Sequence, residues 1–152
     1  MLYLYRIGAI GWLPKLFDEI WTPDAVKSEL LAGSSKGYDV PGPTDFTWLR
    51  IINPIFMPSE WLALDLGAGE LAAMALALEN PQHVVLLDDL LARRTAQAAG
   101  LQVWGTLKVL LEAKSQGLVV KVEPYVTSLN EAGMWVSAEV KLRILVLAGE
   151  SN

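Results

Sequence analysis

The sequence predicts an α/β fold, a three-layer α/β/α sandwich with a mainly parallel central sheet. Strand-like runs alternate with helical segments through the middle of the chain, the order that builds crossover units. Those runs are apolar throughout rather than alternating, as in strands covered on both faces. At 152 residues, with 53% hydrophobic and 19% charged side chains, the chain has the size and composition for one core, so residues 1–152 read as a single domain.

The elements follow in order. Leu2, Leu4 and Ile7, then Leu13, Leu16 and Phe17, have loosely helical spacing broken by Gly8, Gly11 and Pro14, which gives two short helices. Glu19 to Thr22 reads as a strand. Thr22-Pro23-Asp24 then supplies a cap, a proline at the first helical position and an acid in the first turn of a helix reaching Gly33. Residues 33–44 form a loop, and Trp48 to Ile52 a strand closed by Asn53-Pro54. Gly69 to Asn80 is dense in good helix formers. Val84 to Leu87 is a buried strand ending at Asp88-Asp89, and Leu90 to Ala99 a helix stopped by Gly100. Leu101 to Trp104 is a strand and Thr106 to Gln116 a helix. Helices over Val122 to Ala132 and Ser137 to Ala148 complete the chain.

Composition narrows the chemistry. Absence of cysteine removes disulfides, thiolate metal sites and cysteine nucleophiles, and the single His83 argues against a histidine metal site or triad. A net charge of −5 argues against a broad basic surface gripping nucleic acid. No uncharged apolar run reaches the roughly 20 residues of a membrane span, and Arg6 and Lys15 interrupt the N-terminal apolar stretch, so a cytoplasmic protein without a membrane segment is expected. Any catalysis falls to carboxylates.

Asp88 and Asp89 stand at a strand end, where α/β sheets bind ligands. Two adjacent acids there need a cation or a base, and Arg93 and Arg94 lie about one helical turn on. The plainer reading has Asp89 capping the next helix and Asp88 pairing with an arginine. Glu70 opens a helix, where its charge suits the dipole; alone it needs no other role. Glu29 alone reads as part of a solvated helical face, and His83 as a boundary residue. The six tryptophans are scattered and read as packing residues. If Glu29, Glu70 and Asp88 converge, their oxygens suit Mg²⁺ or Mn²⁺, and spacing alone does not bring them together.

Several stretches together resemble a prokaryotic subgroup of PIN-like domains related to the VapC-type toxin ribonucleases. They are Thr22-Pro23-Asp24-Ala25-Val26 with Glu29-Leu30, Leu64-Asp65-Leu66-Gly67-Ala68-Gly69-Glu70, and Val84 to Asp89 with Arg93-Arg94. Gly100 to Leu107, Glu112-Ala113-Lys114 with Gly117-Leu118, and Ala148-Gly149-Glu150 add to them. The resemblance implies a metal-dependent endoribonuclease of toxin–antitoxin type. It assigns Glu29, Glu70 and Asp88 to catalysis, with Glu70, Asp88 and Asp89 on the metal. Thr106, Arg93 and Arg94 then have supporting roles, Thr106 as the small hydroxyl residue after the last strand. RNA is the implied substrate and an antitoxin protein an implied partner. Family members begin with a strand ending in an aspartate, a principal metal ligand; this chain starts inside the following helix and reads as N-terminally truncated relative to them. The alternative is therefore a catalytically weakened or inactive PIN-like module that binds a protein partner or self-associates. A phosphoacceptor receiver domain, suggested by Asp88-Asp89, would need that acidic pair at its first strand rather than beyond the middle of the chain.

Overall fold

Parallel pairing dominates the strands. The computed structural model describes residues 1–151, in which β1 (Ile20–Thr22) pairs with β2 (Leu49–Ile51) and β3 (Val85–Leu86) with β4 (Val103–Trp104). Each pair is bridged by a helical crossover, as parallel neighbours require: α3 (Asp24–Ser35) between β1 and β2, and α5 (Leu90–Ala98) between β3 and β4. The pairs are two separate two-stranded sheets, each with an open edge. The Thr22 carbonyl accepts from Ile52 N–H, so Trp21, one residue back, turns its backbone groups away from β2. Val85 and Leu87 N–H donate to the Gln102 and Trp104 carbonyls, so Leu86 likewise faces away from β4.

The chain divides into two compact units, Glu19–Trp104 and the combination of Met1–Asp18 with Gly105–Asn152. The contiguous unit holds all four strands, α3, α5 and α4 (Ala68–Glu79). Its core is Trp61, Leu71, Met74, Ala75, Val85, Leu87, Ala92 and their neighbours. Helix α4 is apolar on nearly every side, and Gly69, Leu71, Ala72 and Met74 to Ala77 are all buried, which makes it the unit's central helix. A 3₁₀ turn over Ser59–Ala63, not marked by any periodicity, buries Trp61 beside it. Trp21 and His83 stack with ring centroids 4.2 Å apart, and His83 Nε2 lies 3.9 Å from the Glu19 carboxylate, so the residue read from sequence as a boundary position packs against Trp21.

The discontinuous unit is helical. It contains α1 (Leu2–Arg6), α2 (Leu13–Leu16), α6 (Thr106–Ser115), α7 (Glu123–Glu131) and α8 (Ala138–Leu147). Leu4, Leu13, Val109, Leu110, Val126 and Leu129 are buried in it. The Arg6 guanidinium donates to the Ala132 carbonyl at 2.9 Å, tying α1 to the end of α7, and Trp12 meets Tyr125 edge-on. The glycines at 100 and 117 stop α5 and α6 with φ of +81° and +73°, the left-handed conformation that favours glycine after a helix.

Candidate active site

The site begins with how α3 is held. Thr22 ends β1 and provides no cap, contrary to the expectation from Thr22-Pro23-Asp24. The cap comes from Asn53, just past β2. Its Oδ1 accepts the Asp24 N–H at 2.8 Å while its Nδ2 donates to the Asp24 carboxylate at 2.7 Å. One side chain thus satisfies an orphan amide of the helix start and fixes the first-turn acid.

Helix α3 packs on α4, and this brings Glu29 to the turn opening α4, where Glu29 Oε1 accepts the Gly69 N–H at 2.9 Å. The glycine spacing around that turn now has a physical reason. A Cβ at residue 69 would overlap Glu29 Oε2 and stand 3.0 Å from Val26 Cγ2, and one at residue 67 would lie 3.3 Å from Glu29 Oε1. Gly67-Ala68-Gly69 is a cradle for a carboxylate that sequence alone reads as solvated. Gly69→Ala is accordingly expected to displace Glu29 at small stability cost, since the carboxylate is the exposed end of a flexible side chain and alanine improves helix propensity by up to about 1 kcal/mol. An unchanged melting temperature together with a loss of the nuclease activity that the resemblance implies would bear this out; full activity would separate Glu29 from the site.

Glu70 follows directly. Its carboxyl is pushed above the usual range, first by burial, then by the negative charge of Asp89 and, more weakly, of Glu29, against a hydrogen bond from the Gly67 amide. Asp89 caps α5, its Oδ1 accepting the Ala92 N–H at 2.9 Å, as the plainer reading foresees. Glu29, Glu70 and Asp89 are therefore brought within electrostatic reach of one another at two helix starts. Glu29 and Asp89 each give one oxygen to a backbone amide.

The other positions are placed less closely. Asp88 is half-buried and lies two residues past the end of β3. Arg93 and Arg94 lie on α5, half-buried and exposed respectively, and among the described residues neither is ion-paired, so these two arginines do not supply the compensation expected of them. Thr106 opens α6 and is fully buried. Among the described residues no three His, Cys, Asp or Glu side chains close into a metal-binding group. The donor chemistry nonetheless fits a hard divalent cation. Three carboxylates crowd near one another, two of them raise Glu70's proton affinity, and a cation would relieve that repulsion.

Sequence reasoning missed Asn53 and Glu150. The Glu150 side chain is 7% exposed and accepts from Lys114 Nζ at 2.6 Å, from Val122 N–H at 2.6 Å and from Glu123 N–H at 3.0 Å. Burial alone would raise its pKa, but the Lys114 ammonium and the two amides outweigh it and hold the carboxyl below its ordinary value. Its presence in the closing motif was the only signal, and its role is structural.

Acids gathered at helix starts in a unit of parallel strands suit metal-dependent phosphodiester chemistry. Residues 1–150 match the DUF3368 family model, a PIN domain, and the chain belongs to that family. No curated protein and no solved structure gives a significant match. PIN domains in general are divalent-metal-dependent nucleases, which gives this chain a nuclease fold with nucleic acid as its class of substrate. No helix of the described residues is long and apolar enough to cross a membrane.

Proposed function

We propose that the protein is an endoribonuclease of toxin–antitoxin type, acting on RNA in the cytoplasm with Mg²⁺ or Mn²⁺. The observation that carries this reading is the gathering of Asp89 and Glu29 about Glu70, whose carboxyl is pushed up first by burial and then by these two charges. Glu70, Asp88 and Asp89 would hold the cation. When bound, it supplies an activated water and neutralises charge on the phosphodiester. Glu29, fixed by the Gly69 amide, orients the pocket and adds a carboxylate that can take a proton from the attacking water. Arg93 and Arg94, without ion pairs among the described residues, are available to the RNA phosphates.

Asp88→Asn tests the assignment. The purified protein should cleave RNA with Mg²⁺ or Mn²⁺ and lose at least about 100-fold of that rate in the variant, in line with the cost of disturbing a metal's ligand set. Metal-dependent cleavage that survives the change would remove Asp88 from the site. A second reading, a PIN-like module engaged by an antitoxin or by its own copy, is favoured by the open edges at Trp21 and Leu86, since unpaired strand edges accept further strands. RNA cleavage that depends on metal and on Asp88 decides for the enzyme.

A further inference from the structure

Helix α8 is apolar on two sides. Ile144 and Leu145 are buried, and α8 packs against α6. Its outer face carries Leu142, Val146 and Leu147, exposed by 56%, 55% and 64%, with Val140 at its start. Helical periodicity puts Glu139 and Arg143 in the middle of that same face. Neither has an ion pair among the described residues. Trp135, 83% exposed, lies in the extended stretch just before the N-cap Ser137. A run of large apolar side chains of this kind marks an interaction surface.

We propose that the occupant is the same face of a second copy, with the two α8 helices antiparallel across a two-fold axis at the level of residue 141. The charge pattern selects this partner and this direction. In a two-fold contact every pairing occurs twice, and the residues two positions to either side of the axis come level with each other. Glu139 of each copy then meets Arg143 of the other. Val140 meets its counterpart on one flank of the seam and Leu142 on the opposite flank. Leu147 lies on the same flank as Val140 and extends the apolar seam beyond the charge pair. A parallel arrangement would instead set glutamate beside glutamate and arginine beside arginine. The face is thus self-complementary in one direction only, and it rests on nothing assigned to the nuclease site.

Charge reversal tests the pairing because both residues are on the surface and the fold does not depend on them. By light scattering across a concentration series, the wild-type chain should form a dimer. E139R and R143E each create two like-charge contacts and should each weaken it by about tenfold or more. An equimolar mixture of the two single variants should dimerise again, as should the double variant E139R/R143E, because both restore opposite charges. Leu147→Asp should weaken the dimer without rescue by either charge variant, with circular dichroism confirming that each chain is folded. A wild-type chain that stays monomeric throughout, or single variants that dimerise as tightly as wild type, would overturn the proposal.

Discussion

Glu70→Gln is expected to abolish metal-dependent RNA cleavage and, at neutral pH, to make the protein more stable. The two effects share a cause. Glu70 is held among burial, Asp89 and Glu29, each of which disfavours its charged form, and only the Gly67 amide opposes them. A glutamate in the unfolded chain ionises near 4.5, and in the folded chain it does so at higher pH. The folded state therefore binds the proton more tightly, and the stability this contributes is complete below pH 4.5 and lost as pH rises through the raised value. Glutamine is neutral at every pH, keeps an oxygen for the Gly67 amide, and retains that stability at pH 7. Its melting temperature should exceed that of the wild type at neutral pH and converge with it below pH 4.5. Cleavage should fall by at least about 100-fold, because a neutral amide is a poor ligand for a hard cation. Activity bought at the expense of stability is a recurring property of functional sites. A lower melting temperature at pH 7 would contradict the electrostatic account, and undiminished cleavage would contradict the site.

The second large effect lies in the helical unit. Glu150→Ala removes a carboxylate that holds the Lys114 ammonium and the two amides at the start of α7. Lys114 comes from the last turn of α6, and Val122 and Glu123 begin α7, so one side chain joins three parts of the fold. Truncation leaves a largely buried cation and two amides without partners, at a cost of about 3 kcal/mol. For a chain of this size that lowers the melting temperature by roughly 6–12 °C. The pH dependence is opposite in sign to that of Glu70. The Glu150 carboxyl is depressed, so its contribution is present above pH 4.5 and disappears as pH falls through the folded value. Thermal melts of wild type and variant should differ most at neutral pH and approach each other in acid. Equal melting temperatures at pH 7 would show that the three contacts contribute nothing net.

What the sequence disclosed follows the range of the interactions involved. Helices α4 to α8 lie within a few residues of where propensity and glycine stops place them, because those signals act within one or two turns. Asp89 as the cap of α5 was legible for the same reason, its partner being three residues away. The cap of α3 was not, because Asn53 reaches Asp24 from 29 positions along the chain. Glu29 illustrates the limit within the site. On its own helix it is an exposed glutamate, and only the approach of Gly69, 40 positions on, makes it a fixed carboxylate. Glu150 and its partners, 27 to 36 residues apart, were invisible for that reason too. Family resemblance named these acids without supplying the contacts.

The division of the chain sets an order of assembly. Residues 19–104 are one uninterrupted stretch, whereas the helical unit needs residues 1–18 and 105–151 from either side of it. On a ribosome the whole strand-bearing unit, with Glu29, Glu70, Asp88 and Asp89, emerges before α6 to α8 do. Domains form as their residues become available, and α1 and α2 must wait for partners made last. The loop that the helical unit has to close is the entire strand-bearing unit, and collapse of that unit shortens the effective loop and lowers the entropy of closure. The Glu150 clamp is then the late step in biosynthesis, following the gathering of the acids rather than preceding it.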